Sequence, residues 1–287
     1  MKARNFRYIR PTTLAQVFHI LGDSGADAVA VAGGQSLLAG LNMRLSAPKL
    51  LVDIGNLKEL TGQSQAGEFI RLGALTRHCE LLRSDLVQRH LPLLMQAAPH
   101  IGHIAIRNRG TLGGSLAYAD PAAELPACAV ALGATLVLGS LAGEREVKAS
   151  EFYKGLFETD LRPGELILAV KFPRAAARTT VGFAELARRH GDFALVGLAL
   201  VAIMQRQRIE SARVVYFGCV DRPRVASAVC AAIAGMTLPL RDDAFEAAIG
   251  QDLTPDDTPG LRADTKLRMA KVLTRRVLNS LSQRVAA

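Results

Sequence analysis

The sequence predicts an α+β protein built in two parts, a larger first part and a smaller second one. Strand-like and helix-like stretches alternate along residues 1–172. A stretch of Pro, Ala, Arg and Thr at residues 173–180 then has the character of a linker. With 287 residues, of which 49% are hydrophobic, the chain can bury a substantial core in one or two domains. We therefore predict a first domain at residues 1–176 and a second at residues 177–287.

The first part interleaves helices with strands. A short helix is predicted at residues 14–21, and the run AVAVA at residues 28–32 predicts a buried strand that ends at a glycine pair. Further strands are predicted at residues 49–54, 69–72, 134–138 and 166–172. Further helical stretches are predicted at residues 79–86, 149–157 and 90–101, the last broken by its two prolines.

The second part has fewer elements. Strands are predicted at residues 195–204 and 212–217, and a helix at residues 227–234. A long helix is predicted at residues 261–285, because Leu273, Val277 and Leu281 recur at helical spacing on one stripe. These elements predict a smaller α+β domain.

Two glycine pairs carry the strongest chemical signal. The segments AGGQSL at residues 32–37 and TLGGS at residues 111–115 each predict a turn that leads toward a helix. Either pair alone is more typical of an ordinary turn. Together they predict two rows of backbone N–H groups that hold the two phosphates of a large nucleotide, the donors being Gly33, Gly34, Gln35 and Ser36 on one side and Gly113, Gly114 and Ser115 on the other. The chain has neither the GxGxxG nor the GxxxxGK[ST] pattern, which disfavours the Rossmann and P-loop folds.

An Asp-Pro pair follows the second glycine pair. Asp120 is predicted as the N-cap of a helix whose first residue is Pro121, running to about Leu132. A contact of Asp120 with a ligand is an equally open interpretation.

Composition excludes several classes of protein. The formal net charge is +9, but Lys and Arg are scattered, and with no Trp and 5% aromatic residues the chain does not resemble a nucleic-acid-binding protein. We expect no membrane span and no signal peptide, and therefore a cytoplasmic protein. Neither the histidines nor the isolated cysteines have metal-site spacing, so we expect no metal on this chain, the cysteines being Cys79, Cys128, Cys219 and Cys230.

Three segments resemble one known family. AGGQSLLAGLNMRL at residues 32–45, IGHIAIRNRGTLGGSLAYADPAAELPA at residues 101–127 and FAELARRHGDFALVG at residues 183–197 are similar to the FAD-binding medium subunit of the molybdenum hydroxylases. That family includes xanthine dehydrogenase, carbon monoxide dehydrogenase, quinoline oxidoreductase and nicotine dehydrogenase type enzymes. The resemblance implies a fold of the vanillyl-alcohol-oxidase (PCMH) type: a two-part FAD-binding domain, with subdomains at about residues 1–56 and 57–176, and a C-terminal domain of a small antiparallel sheet with helices.

The resemblance also implies the residues that contact FAD. The two glycine segments would hold the pyrophosphate, Asp120 and Glu124 would contact ribityl or ribose hydroxyls, and Ile167 would be an apolar neighbour of the flavin. Phe193 would lie beside the isoalloxazine, where many relatives have Tyr. Gln35 stands where many relatives have His, and no Cys is placed to tether the flavin, so we expect dissociable FAD. The implied contacts are Ala32, Gly33, Gly34, Gln35, Ser36, Leu37, Thr111, Gly113, Gly114, Ser115, Asp120, Glu124, Ile167 and Phe193.

The arginines beside the second glycine segment have two open roles. Arg107 or Arg109 would either offset diphosphate charge or, as is more usual, lock a loop or meet a partner chain.

The function implied is electron transfer without a catalytic residue on this chain. A large partner subunit would hold a molybdopterin cofactor, and a small one would carry two two-iron iron-sulfur clusters that pass electrons to the FAD of this chain and on to an external acceptor. A dimer of heterotrimers is expected. Two alternatives stay open: a self-sufficient flavin oxidoreductase of the same fold class, and a non-catalytic basic interaction module in which the glycines are structural.

Overall fold

A three-stranded parallel sheet forms the start of the chain. The computed structural model describes residues 2–240 and 243–285, with only the backbone described at residues 283–285. The strands β1 (Arg7–Ile9), β2 (Ala28–Val31) and β3 (Leu50–Asp53) lie in the order β1-β3-β2. Parallel neighbours need crossover connections, which the helices α1 (Leu14–Ser24) and α2 (Leu37–Asn42) provide. The predictions at residues 14–21, 28–32 and 49–54 are confirmed to within a few residues, whereas the short exposed strand β1 was not predicted.

A five-stranded antiparallel sheet follows. The strands are β4 (Gln63–Ala66), β5 (Phe69–Gly73), β6 (Thr135–Ser140), β7 (Gly143–Lys148) and β10 (Leu166–Pro173). Their order in the sheet is β4-β5-β10-β6-β7, so the buried strand β10 lies at the centre. A small hairpin of β8 (Tyr153–Gly155) and β9 (Glu158–Thr159) precedes β10. The predicted strands at residues 69–72, 134–138 and 166–172 are confirmed because their apolar runs are buried here.

Short helices occupy the connections of this sheet. They are α3 (His78–Leu81), α4 (Asp85–His90), α5 (Pro92–Ala97), α6 (Ile104–Arg107), α7 (Leu112–Tyr118), α8 (Glu124–Leu132) and α9 (Ala149–Phe152). The prediction of a single helix at residues 79–86 is wrong. The segment contains parts of two helices, because the Ser84 hydroxyl accepts a hydrogen bond from the N–H of Val87 at 3.3 Å and caps the start of α4. Pro92 begins α5 and breaks the stretch 90–101, as predicted.

A four-stranded antiparallel sheet and three helices complete the part of the chain that the structure describes. The strands β11 (Thr179–Leu186), β12 (Val196–Gln205), β13 (Arg208–Phe217) and β14 (Arg224–Val225) pair in chain order. The helices are α10 (Ser227–Ile233), α11 (Phe245–Asp252) and α12 (Ala263–Val285). The stripe of Leu273, Val277 and Leu281 is buried as predicted, and a Cβ at Gly182 of β11 would lie 3.4 Å from a methyl group of Leu281. This is the predicted antiparallel sheet with helices.

One hydrophobic cluster spans the two parts. Buried side chains of α5, α7 and α8 pack in the same cluster as Ala199, Val215 and Phe217 of the last sheet. The Gln96 side chain adds a polar contact, accepting a hydrogen bond from the N–H of Phe183 at 3.1 Å. This packing brings the loop between β11 and β12 against the first part. Within residues 2–240 and 243–285, no helix is long and apolar enough to cross a lipid bilayer.

Candidate cofactor site

A cleft of about 670 Å³ lies where the parallel sheet, the helices α6 to α8, strand β10 and the β11–β12 loop meet. A volume of this size is typical of cofactor sites. Every predicted FAD contact lines this one cleft: Ala32, Gly33, Gly34, Gln35, Ser36, Leu37, Thr111, Gly113, Gly114, Ser115, Asp120, Glu124, Ile167 and Phe193. Segments that are far apart in the chain therefore meet at one place.

The first glycine segment is an open turn. Gly34 has a φ of +71°, a conformation that favours glycine. The Gln35 side-chain amide donates to the carbonyl of Gly33 at 3.0 Å and closes the turn on one side. Among the residues that the structure describes, the N–H groups of Gly33, Gly34, Gln35 and Ser36 donate to no protein acceptor. Consecutive free N–H groups around a left-handed residue, just before a helix, form a site for an anion.

The second glycine segment is not a turn, and this prediction is wrong. Gly113, Gly114 and Ser115 lie in the first turn of α7, and Thr111 is its N-cap. Their N–H groups are engaged: Gly113 donates to the carbonyl of Ala74 at 2.8 Å, and Ser115 to that of Thr111 at 3.0 Å. Gly114 donates to the Thr111 hydroxyl at 3.1 Å. Because the cap and the neighbouring strand end satisfy these donors, only the Ser115 hydroxyl, which forms no hydrogen bond within the described chain, offers a free polar group here.

The glycines of α7 serve close packing instead. A Cβ on Gly113 would lie 2.6 Å from the Cβ of Ala74, closer than real side chains approach. A Cβ on Gly114 would lie 3.8 Å from the Cβ of Ala32, so α7 runs directly against the first turn. The two glycine segments thus form one wall of the cleft. The first segment carries the free N–H groups, and the glycines of the second, which have no side chain, let α7 pack closely against its neighbours.

Thr111→Ala is expected to lower the free energy of unfolding by about 1 kcal/mol, since the N–H of Gly114 loses its acceptor at the start of α7. Thr111→Ser retains the hydroxyl and is the matched control. Chemical denaturation of both variants measures the difference. Equal stability of the Ala and Ser variants would contradict the assignment of Thr111 as the cap.

Asp120 does not cap a helix, contrary to the prediction. The helix α8 begins at Glu124, with Ala123 at its N-cap position. The Asp120 carboxylate instead accepts a hydrogen bond from the N–H of Ala122 at 2.9 Å, which stabilises a turn through Pro121. Partial burial raises the pKa of Asp120, and its side chain lines the cleft.

Glu124 is the most perturbed acid of the cleft. Its side chain is almost fully buried, and burial raises its pKa to about 8, with further contributions from the nearby carboxylates of Glu185 and Asp120. Its carboxyl group is therefore mostly protonated at pH 7 and can donate a hydrogen bond to a ligand hydroxyl or carbonyl. The sequence placed Glu124 at the site but contained no sign of its protonation state.

The loop between β11 and β12 forms the opposite wall of the cleft, and His100 joins it to the first part of the chain. Its Nδ1 lies 3.2 Å from a Glu185 carboxylate oxygen, and the hydrogen bond between them raises the pKa of His100 despite partial burial. Its ring also stacks on that of His190, with 6.0 Å between centroids. Next to this stack, Gly191 approaches the backbone of Gly102, where a Cβ would lie 3.0 Å from the carbonyl carbon. These contacts hold the β11–β12 loop over the cleft.

Phe193 and Ile167 give the cleft its apolar surfaces. Phe193 lines the cleft at its rim and is 70% exposed, so its ring offers an open stacking face. Ile167 is buried beside an irregularity in the pairing of β10 with β6. Sequence reasoning missed Tyr118, Arg188 and Asp192, which also line the cleft. The last two lie in the RRHGDFAL segment, where only the aromatic residue was selected.

Arg107 locks a loop. Its Nη1 donates to the carbonyls of Ile101 at 3.1 Å and Gly102 at 2.6 Å, on the loop that lines the cleft. Of its two open roles, the structure therefore supports the structural one. Arg109 is exposed, and its side chain has no partner among the described residues. Within the same residues, no cluster of His, Cys, Asp or Glu could hold a metal ion.

Fold and cleft together define a class: an α+β protein whose cleft, of the size of a cofactor site, has a row of free N–H groups on one wall and an aromatic ring at the rim. Comparisons with known proteins identify the family within this class. Residues 4–175 match the model for the FAD binding domain in molybdopterin dehydrogenase, and residues 182–281 match the CO dehydrogenase flavoprotein C-terminal domain. The chain therefore belongs to the FAD-binding medium subunits of the molybdenum hydroxylases, which are parts of oxidoreductase complexes.

Individual relatives agree along most of the chain. The 6-hydroxypseudooxynicotine dehydrogenase complex subunit alpha of Paenarthrobacter nicotinovorans is 42% identical over 76% of this chain and 74% of its own. The structure of carbon monoxide dehydrogenase from Hydrogenophaga pseudoflava superposes on this chain with a TM-score of 0.95 and a sequence identity of 33%. The match covers 99% of both chains. Quinoline 2-oxidoreductase from Pseudomonas putida 86 gives a TM-score of 0.92 at 37% identity and covers 100% of both chains. The predicted fold class and the predicted FAD cofactor are confirmed.

Proposed function

We propose that this chain passes electrons from iron-sulfur clusters of a partner subunit, through bound FAD, to an external acceptor. The observation that carries the proposal is the row of free N–H groups at residues 33–36 opening into the cleft. In our assignment these groups hold the FAD phosphates, with the Ser115 hydroxyl beside them. Asp120 and Glu124 hold hydroxyl groups of the cofactor, and Ile167 and Phe193 contact the flavin. When bound, FAD supplies the redox chemistry, and the protein binds, orients and shields it.

The remaining parts of the proposal concern the complex. A large subunit with a molybdopterin cofactor and a small subunit with two two-iron clusters would complete a cytoplasmic heterotrimer, two copies of which form a dimer. Relatives named as subunits or medium chains of dehydrogenases support this arrangement. Within the chain, we retain domains at residues 1–176 and 177–287, and subdomains at about residues 1–56 and 57–176.

One observation favours a second candidate, a self-sufficient flavin oxidoreductase. A protonated Glu124 in the cleft is an acid-base group of the kind that such an enzyme needs. Membership of an FAD-binding family leaves no role for the other alternative, a purely structural interaction module.

Purification from the native source separates the two candidates. We expect the chain to co-purify with two further subunits, molybdenum and iron, as measured by native mass spectrometry and metal analysis. A chain that purifies alone with FAD and reduces an acceptor with a small substrate would instead establish the self-sufficient enzyme.

Phe193→Ala is expected to change the visible spectrum of bound flavin and weaken FAD binding, by about 1 kcal/mol, while leaving protein stability almost unchanged. The reason is that an exposed ring contributes little to folding but offers a stacking face. Fluorescence titration with FAD gives the binding constant. Phe217→Ala, at a fully buried ring of the adjoining sheet, is the contrasting control and should cost about 3–5 kcal/mol of stability. A Phe193 variant with unaltered spectrum and affinity would exclude contact with the flavin.

A further inference from the structure

A buried carboxylate lies where the two parts of the chain meet. Glu185 belongs to β11, and its side chain is only 4% exposed. One of its oxygens lies 3.2 Å from Nδ1 of His100. The other oxygen, Oε2, is buried and has no hydrogen-bond partner among the residues that the structure describes. A buried carboxylate oxygen without a donor is costly, so Glu185 calls for a role beyond packing.

Glu124 lies between this carboxylate and the cleft. Its side chain lines the cleft and is almost fully buried. Burial is the main cause of the raised pKa of Glu124, and the charge of Glu185 adds to it, so the two carboxyl groups are near each other. At pH 7 a protonated acid is therefore placed near a carboxylate that has one unpaired oxygen.

His100 connects the same carboxylate to the solvent. Its side chain is 34% exposed, and its ring is held between His190, at 6.0 Å between centroids, and Phe183, at 5.2 Å. The hydrogen bond to Glu185 raises the pKa of His100 from its ordinary value of 6.5, so this imidazole exchanges protons with water near neutral pH. We call Glu124, Glu185 and His100 the acid–histidine row. It leads from the cleft to the solvent.

Other ionisable groups surround the row. Asp120, in the turn before α8, also contributes to the raised pKa of Glu124. Cys128, one turn along α8, is fully buried, and burial raises the pKa of its thiol well above the ordinary value, so it keeps its proton. The facing groups on the β11–β12 loop are Arg188, His190 and Asp192. The hydrogen bond between His100 and Glu185 distinguishes the row from these neighbours.

The proposed function requires protons in this cleft. Iron-sulfur clusters deliver electrons and carry no protons with them, whereas reduction of FAD to FADH2 takes up two electrons and two protons. The row lies beside the segments that we assign to the flavin: β11 leads into the loop of Phe193, and Ile101, next to His100, lines the cleft. A cofactor in the cleft covers the open side of Glu124 and leaves the protein side as its route to water.

We propose that the acid–histidine row conducts protons between the solvent and FAD. Glu124 gives its proton to the cofactor as the cofactor is reduced, and it regains one from His100 through Glu185. Each FAD takes two electrons from the clusters and two protons from water, at least one of them through the row. Oxidation by the external acceptor releases both. The proposal rests on the proposed function, because it needs electrons to arrive without protons.

Proton uptake by the FAD-loaded chain tests the row without any partner subunit. Reduced methyl viologen supplies electrons and no protons, so it replaces the clusters. A pH indicator in weakly buffered solution follows proton uptake, and visible absorbance follows flavin reduction. We expect Glu185→Gln to slow proton uptake on the order of tenfold or more at pH 7. Glu144→Gln, the same exchange at an exposed position of β7, should leave it unchanged.

The half-exposed end of the row provides a second test. His100→Ala should slow proton uptake in the same way, and dissolved imidazole should restore it, because a small base carries the proton in place of the lost ring. Wild-type uptake should fall above about pH 8, where Glu124 loses its proton. Glu124→Gln should be slow at every pH and show no such fall.

A measurement without FAD checks the central pair. In the FAD-free chain, NMR titration of the His100 ring should show a lower pKa in Glu185→Gln than in wild type, because the hydrogen bond to a carboxylate is lost. Circular dichroism establishes that each variant folds. An unchanged pKa would show that His100 and Glu185 are not joined in solution, and the row would be broken.

Two further outcomes would overturn the proton path and leave the proposed function intact. One is equal proton uptake by wild type and Glu185→Gln at full flavin content. The other is slow uptake by His100→Ala that imidazole does not restore, which would assign the ring to packing alone. The proposed function fails by a different result, a native chain that co-purifies with no iron-sulfur subunit.

Discussion

Gly33→Ala is expected to remove FAD from this protein. A Cβ at Gly33 would lie 2.8 Å from the carbonyl carbon of Arg109 and 2.9 Å from the Cα of Gly110, and closer still to the Arg109 carbonyl oxygen. These are backbone atoms of a loop whose own hydrogen bonds join it to α6, so they cannot rotate away. The turn must therefore shift, and its row of free N–H groups moves with it. We expect about 1–3 kcal/mol of lost stability and a preparation without flavin absorbance.

Gly40→Ala is the matched control for this experiment. Gly40 lies in α2, beyond the turn, and a Cβ there meets no atom within 4 Å. Alanine at this helical position should retain FAD and add up to about 1 kcal/mol of stability. The flavin-to-protein absorbance ratio and thermal unfolding compare the variants. A folded Gly33→Ala protein with full FAD content would rule out the first turn as the phosphate site.

Glu124→Gln is expected to change how stability depends on pH. The folded pKa of Glu124 is raised to about 8 from an ordinary value of 4.5, so between these values the folded chain holds a proton that the unfolded chain has released. In this window the wild-type free energy of unfolding falls as pH rises, by up to about 1.4 kcal/mol per pH unit for this one group. Glutamine has no proton to lose. The stability of the variant relative to wild type should therefore increase from about pH 5 to pH 8 and become constant above it.

Urea denaturation at several pH values measures this difference. The comparison must be between variants, because the raised pKa values of Asp120 and His100 also make the wild-type curve depend on pH. Glu144→Gln, at an exposed position of β7, should follow the wild-type curve throughout. If the Glu124→Gln variant also runs parallel to wild type across the whole range, Glu124 is ionised in the folded protein and the assigned hydrogen-bond donor is wrong.

Local patterns in the sequence predicted most of the elements. The strand at residues 28–32, the glycine turn after it and the long C-terminal helix all arise from short-range rules: apolar runs, φ preferences and helical spacing. Two of the incorrect assignments are instructive. The cap at Ser84 divides one predicted helix into two, and the cap at Thr111 converts a predicted turn into the start of a helix. In both cases a single side-chain oxygen decided between structures that the pattern of apolar residues permits equally.

The sequence by itself determined the fold class, the family and many of the residues that line the cleft, because these depend on residue identities at fixed chain positions. Only the tertiary structure decided which donors stay free and which acid stays protonated. The N–H of Gly113 is satisfied by Ala74, a residue distant in the chain. The pKa of Glu124 is raised because packing of the two parts buries it near Glu185. Hydrogen-bond competition and desolvation depend on which segments meet in space, so no local pattern contains them.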